Sequence, residues 1–440
     1  MFSTSFHADY EWSTMPNQNC AHLKQYLAAK LTRRRWLQAG ALSAATGFVV
    51  VRSPHAPLRA ADAEAPTADL LIAGKDRRLI VHNGSTAGFE IETPLDLLSP
   101  EGVTPVEQLF VRNNQQPEWS ATLRPAPEMD WKLDIEGLLA ESRSITLDAL
   151  RAMSQHEHEI VLQCSGNGRA LFSEAAPAKG APWRYGAMGC VRFRGVMLRD
   201  VFKKLDIRPK SEARFLTAQG ADSPALPDGA DFEHSLPLHD VLARSLLALE
   251  LNGKPLPAVH GGPLRLVTPG YYGTMHVKWL SRLRLDAAET TNHHQVKRYR
   301  TPLDQIAPGA PFDYDLDNSE PNWRMRIKSV VFAPIQGARV SAGKVLAEGV
   351  AWNDGTSRIE AVETSLDDGL TWRRAELQTP SDRYSWYRWQ THLTVASGDQ
   401  LLLCRAVDTL GNTQPLNGAA DWNPAGYGWH GVERIRFHAV

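Results

Sequence analysis

Apolar and polar residues along this 440-residue chain alternate mostly in short runs of period two, with only brief stretches of helical spacing. Residues 108–112, 131–135, 159–163, 264–268 and 276–280 read as strands, whereas 145–152 and 198–205 carry the spacing of short helices. Strands and helices without a regular βαβ alternation predict an α+β domain. After residue 318 the texture changes. Residues 340–350, 359–365, 387–395 and 401–407 alternate apolar with polar, separated by turn signals such as Asp367-Asp368-Gly369. That spacing predicts an immunoglobulin-like β-sandwich, and the antibody Cys-Trp-Cys pattern is absent, so only the architecture is inferred. A segment rich in Pro, Asp and Asn, residues 301–322, is the natural linker. The expected organisation is a leader and linker over 1–63, an α+β domain over 64–318 and the sandwich over 319–440.

Composition sharpens this picture at the N-terminus. The overall balance, 48 Lys and Arg against 49 Asp and Glu, removes the electrostatic footprint of a nucleic-acid binder. Locally, Thr32-Arg-Arg-Arg-Trp-Leu-Gln38 runs into a weakly apolar stretch over 37–51, followed by small residues at Ala61-Asp-Ala63. This resembles a twin-arginine export signal. The apolar run is broken by Gly40, Ser43, Thr46 and Gly47 and falls short of the ~20 residues a spanning helix needs, so no permanent membrane anchor is expected. Such export carries folded proteins and implies a periplasmic enzyme loaded with its cofactor beforehand. Removing the leader takes Cys20 and leaves Cys164, Cys190 and Cys404, too few for a disulfide framework. The absence of a Cys-x-x-Cys-His run implies no attached haem, so electrons would leave to a partner.

The run Val161-Leu-Gln-Cys-Ser-Gly-Asn-Gly-Arg169 places a cysteine just past a strand end, in a glycine-containing loop with an arginine five positions on. A soft thiolate suits a soft metal, and the loop and the cation favour the thiolate, although a buried inert cysteine is the commoner role of such a residue. Leu109-Phe-Val-Arg-Asn-Asn114 puts a cation and two amides at another strand end. His260-Gly-Gly-Pro-Leu-Arg265 and His276-Val-Lys278 gather four donor-rich side chains within nineteen positions. Together these could neutralise a phosphate-bearing group, the arginines by bidentate hydrogen bonds and the lysine as a point charge. Cys190 and Cys404 lie in apolar strand-like contexts and read as core. His156 and His158 lack further ligands close in sequence, and His293-His294 reads as a surface turn.

The order of these runs, ending in a Ser-x-Asp-x-Gly-x-Thr-Trp hairpin, resembles the sulfite oxidase family from about Glu92 onward. The resemblance implies an α+β molybdopterin-binding domain followed by an immunoglobulin-like dimerisation domain, one pterin-bound molybdenum per subunit, and a homodimer. It implies sulfite oxidation to sulfate, with electrons passing to a separate c-type cytochrome. Position by position, Cys164 matches the molybdenum ligand. Phe110, Val111, Arg112, Asn113, Asn114, Asp222, His260, Arg265, His276, Val277 and Lys278 match pterin contacts. Tyr299 falls at the active-site tyrosine, and Arg112, Arg169 and Trp183 fall where the family lines its oxyanion pocket. Three departures stand out: Asn114 replaces the histidine of the animal enzymes, Ala425 replaces an arginine their second domain adds to the pocket, and Lys132 replaces an arginine near the anion region. A sulfane dehydrogenase acting on carrier-bound sulfur, or a non-catalytic secreted binding protein, are the other expectations.

Overall fold

The computed structural model describes residues 66–440 except 86–87, 128–129 and 225–228; the expected export signal lies outside the described residues. No helix among the described residues is long and apolar enough to cross a membrane.

Among the described residues two five-stranded sheets dominate the first domain, with a small three-stranded sheet, Ile80–Ser85, Gly88–Glu92 and Val111–Arg112, at its N-terminal end. One sheet runs Arg143–Thr146, Lys132–Gly137, Leu280–Asp286, Phe215–Gly220, Glu233–Pro237, with a single parallel pair between the second and third strands. The other runs Lys254–Pro255, Leu246–Leu251, Met188–Met197, His156–Gln163, and Arg265–Val267 pairs with Leu246–Leu251 as well. Helices Leu147–Arg151, Leu198–Lys204 and Leu238–Arg244 contribute Leu150, Leu198, Val201 and Val241 to the core these sheets share. Thr146 starts the first helix, its hydroxyl accepting from the Ala149 N–H at 3.3 Å, a cap worth about 1 kcal/mol. The strand His156–Gln163 alternates in its first half and is buried throughout its second. Its second half is covered on both faces. Ile160 and Leu162 enter one core, while Val161 enters a cluster shared with the second domain.

The second domain is a two-sheet sandwich. Four strands, Lys328–Ala333, Gly343–Trp352, Tyr387–Val395 and Glu376–Gln378, face five, Arg339–Val340, Glu433–Ala439, Gly398–Asp408, Ile359–Ser365 and Arg373–Arg374. Val331, Ala347, Trp389, Leu402, Cys404 and Phe437 fill the space between. Trp352 is fully buried on the first domain's side, its indole N–H on Gln163 Oε1 at 2.8 Å, a seat worth about 3–5 kcal/mol against alanine. Cys190 and Cys404 are core thiols, as their apolar contexts predict.

The sequence pattern and the fold disagree in three places. Residues 276–279 are not a strand: a 3-10 turn, Gly273–Met275, precedes them and the strand begins at Leu280. Trp279 holds φ +50°, a left-handed value that no pleated strand accommodates. Only Val111–Arg112 of the run 108–112 is strand. His294 lies not on a surface turn but buried in the short helix His293–Val296, against the ring of Phe232 at 5.3 Å.

Candidate active site

A cleft runs into the first domain. Cys164, Arg112, Asn113, Asn114, Asp222, His260, Arg265, His276, Lys278, Phe110 and Tyr299 all line it. Val111, Val277, Trp183 and Arg169 do not. Val111 packs in the small N-terminal core and Val277 in the main one, and Trp183 is fully buried, edge-on to His82.

Cys164 stands where the strand His156–Gln163 ends. Its N–H continues the ladder to the Ala187 carbonyl at 2.9 Å, its carbonyl accepts from Asn167 N–H at 3.0 Å, and the Gly166 N–H points at its Sγ at 3.4 Å. Burial pushes the thiol pKa up, while Arg112, Arg169 and the Gly166 N–H oppose it. The site therefore favours a thiolate once a positive centre offsets the burial. Arg169 lies buried behind this loop, giving Nε–H to the Ala425 carbonyl at 2.8 Å and Nη1–H to the Ala181 carbonyl at 2.9 Å. Its slot requires Gly166, where a Cβ would sit 2.7 Å from Nη2.

Arg112 is carried in by the pairing of Val111–Arg112 with Gly88–Glu92. It contacts Glu90 at 3.3 Å and donates to the Asn113 carbonyl and to Asn114 Oδ1, both at 2.6 Å. A guanidinium only donates, so Asn114 must turn its amide NH₂ toward Tyr299, whose hydroxyl accepts it at 2.6 Å. The Tyr299 proton is left for the cleft. Tyr299 itself holds φ +55°, and a left-handed non-glycine residue costs on the order of 1 kcal/mol, strain placed at the site.

The deep wall is a cluster of cations. Arg265 is pinned by its bonds to the carbonyls of His260, 3.0 Å, and His276, 3.1 Å, and burial lowers its pKa to about 9. Lys278 reaches the Val259 carbonyl at 3.1 Å and Asn113 Oδ1, and burial beside Arg265, Lys75 and Arg112 holds its pKa well below the usual value. His276 gives Nε2–H to the Thr268 carbonyl at 2.9 Å, and burial lowers its pKa to about 3. Its Nδ1 is therefore a bare buried acceptor. Asp222 is the carboxylate on this wall, its pKa raised to about 7 by burial. So many desolvated cations with so little counter-charge, beside the unpartnered His276 Nδ1, are built for an anionic ligand that also carries N–H groups.

The sequence reading missed four contributors. Lys75 is buried and donates to the carbonyls of Val106, 2.7 Å, and Leu109, 2.6 Å, with His260 Nε2 at 3.1 Å, which turns the other His260 nitrogen into a donor. Phe232 lines the cleft, and Arg298 and Tyr427 flank Tyr299. Only Tyr427 leaves a local signal, the Gly426-Tyr-Gly428 triplet just past Ala425.

A cleft lined by buried cations and a buried cysteine thiol is suited to an anionic cofactor. Residues 121–294 match the oxidoreductase molybdopterin binding domain and residues 319–435 the Mo-co oxidoreductase dimerisation domain. Mitochondrial sulfite oxidase of Rattus norvegicus is 34% identical over 361 residues, 78% of this chain, which spans 63% of that protein's length. Sulfite oxidase of Gallus gallus is 32% identical over 359 residues, 78% of this chain and 75% of that one. Among solved structures, the sulfane dehydrogenase SoxCD from Paracoccus pantotrophus superposes with a TM-score of 0.66 at 26% identity, over 80% of this chain and 85% of that one. The chain belongs to the sulfite oxidase family of molybdopterin oxidoreductases.

Proposed function

We propose that this chain is an exported, molybdenum-dependent sulfite dehydrogenase that acts as a homodimer in the periplasm and passes electrons to a separate c-type cytochrome. The observation that carries the reading is the buried Cys164 thiol in a cationic cleft, with Arg112 lining the cleft and Arg169 behind the cysteine loop. Lys278, Arg265, His260, His276 and Asp222 would hold the pterin and its phosphate, one per subunit, with no haem in the chain. Cys164 would be the protein's ligand to molybdenum. The remaining donors would come with the cofactor. When bound, that group supplies two-electron redox chemistry at sulfur. The balance is sulfite plus water to sulfate, two protons and two electrons, the electrons leaving singly to the cytochrome.

The protein's part is placement. Arg112 and Arg169 hold the anion's oxygens by charge-assisted hydrogen bonds, and Tyr299, its oxygen already accepting from Asn114, directs its proton at them. Trp183 backs the pocket from the core rather than touching the substrate.

A second reading, oxidation of carrier-bound sulfur, is favoured by the likeness to the sulfane dehydrogenase structure and by Asn114 and Ala425 in the pocket. The test is protein purified from a cofactor-competent host. Near-stoichiometric molybdenum with sulfite-dependent cytochrome c reduction supports the proposal. Reduction only with a sulfur-loaded carrier protein moves the assignment to the second reading, and absence of molybdenum favours a binding protein.

A further inference from the structure

Arginine donors in the pocket are unequally spent. Arg112 commits three of its nitrogens to Glu90, Asn113 and Asn114, and Arg169 commits two to backbone carbonyls. Arg298 is different. It is half-buried beside Tyr299, and among the described residues no hydrogen bond or ion pair claims its guanidinium. A desolvating guanidinium with its fork unused is suited to an oxyanion.

Its neighbours form an ordered pile. The Arg298 Cζ lies 5.9 Å from the centre of the Tyr299 ring. Tyr299 stacks on Tyr427 at 5.3 Å with the rings 21° apart, and Arg169 Cζ lies 5.4 Å from the centre of the Tyr427 ring. Each guanidinium lies within reach of a π-system, which offsets part of the cost of gathering cations here. Tyr427 comes from the sandwich domain on a fixed loop. Asn423 brackets its backbone, accepting from its N–H at 3.0 Å and donating to its carbonyl at 2.9 Å, and the Gly428 N–H ties the loop to the Ser165 carbonyl at 2.9 Å, next to Cys164. Gly426 permits the approach: a Cβ there would sit 2.4 Å from Arg169 Cγ. The Ala425 methyl carries no charge, and what that position offers the pocket is its carbonyl, on Arg169.

We propose that Arg298 supplies the third cation of the oxyanion pocket, the role Ala425 cannot play, and that Tyr427 is the sandwich domain's positioning residue, holding Tyr299 and Arg298 in place by stacking. This deepens the anion-oxidising reading above and rests on it.

The test uses molybdenum-loaded full-length protein, with inorganic sulfate titrated calorimetrically into the resting enzyme alongside sulfite kinetics. Losing a charged hydrogen-bond donor, Arg298→Met should weaken sulfate binding and raise the sulfite KM by about tenfold or more while sparing kcat. It should also flatten the dependence of kcat/KM on ionic strength, which Arg298→Lys restores in part. Tyr427→Phe should keep sulfate affinity, and Tyr427→Ala should lose it. An unchanged sulfate affinity in Arg298→Met, equal losses in the two Tyr427 variants, or a wild-type enzyme that binds no sulfate would each overturn the proposal. A wild-type enzyme that binds sulfate yet oxidises no sulfite overturns the sulfite reading and leaves this pocket standing.

Discussion

The deep wall of the cleft and its mouth are both cationic, yet they are built in opposite ways. The deep wall, with His260, Arg265, His276 and Lys278, comes from nineteen consecutive positions of one domain, its charges locked by main-chain carbonyls. The mouth draws Arg112, Arg298 and Tyr299 from well-separated segments of the first domain and Tyr427 from the second, with Arg169 buried behind them. A wall fixed by its own backbone suits a cofactor that stays. A mouth fixed by stacking across a domain boundary can be retuned for a substrate without disturbing that cofactor.

The largest effect tests the floor both regions share. Cys164→Ser should reduce sulfite-dependent turnover to background with the fold retained by circular dichroism, and a variant with full turnover would remove the ligand assignment. Next, the two regions should fail differently. Lys278→Met should lower molybdenum content by about tenfold or more, since it removes a charged donor to the cofactor. Arg169→Met should keep its molybdenum and raise the sulfite KM by about ten- to a hundredfold. If the two phenotypes are exchanged, the division between wall and mouth is wrong.

The smallest effect concerns what supports the mouth from behind. His234 is fully buried between Gln295 and Thr274, its ring 5.4 Å from that of Tyr299. Burial holds its pKa at about 4, below the usual 6.5, so the folded state carries it neutral. The unfolded chain binds the proton first on acidification. The stability is thus complete above about pH 6.5 and declines as pH falls to about 4, by up to about 3 kcal/mol. Urea midpoints measured at pH 7 and pH 4.5 should differ less in His234→Gln than in wild type, and equal differences would discard this account.

How much of this was legible follows from the same contrast. The two-domain α+β and sandwich architecture was readable because period-two burial is a local signal that each strand carries in its own residues. The cysteine loop and the deep wall were readable for a related reason: their residues act from short, consecutive runs. The backbone of Trp279 and Tyr299 was not, since nothing in a tryptophan or tyrosine announces a positive φ that tertiary contacts impose. Neither was His294, which its position in a polar stretch places at the surface until Phe232 covers it.

The amino-acid sequence by itself therefore determined the thiol, the cationic wall and the two folds that carry them, because local pattern and short spacing fix those. Only the tertiary structure decided which arginines keep donors free, that Ala425 acts through its carbonyl, and that Tyr427 reaches Tyr299 across the domain boundary. Those depend on distances between segments far apart in the chain, set by the packing of whole domains and by no residue's own propensity.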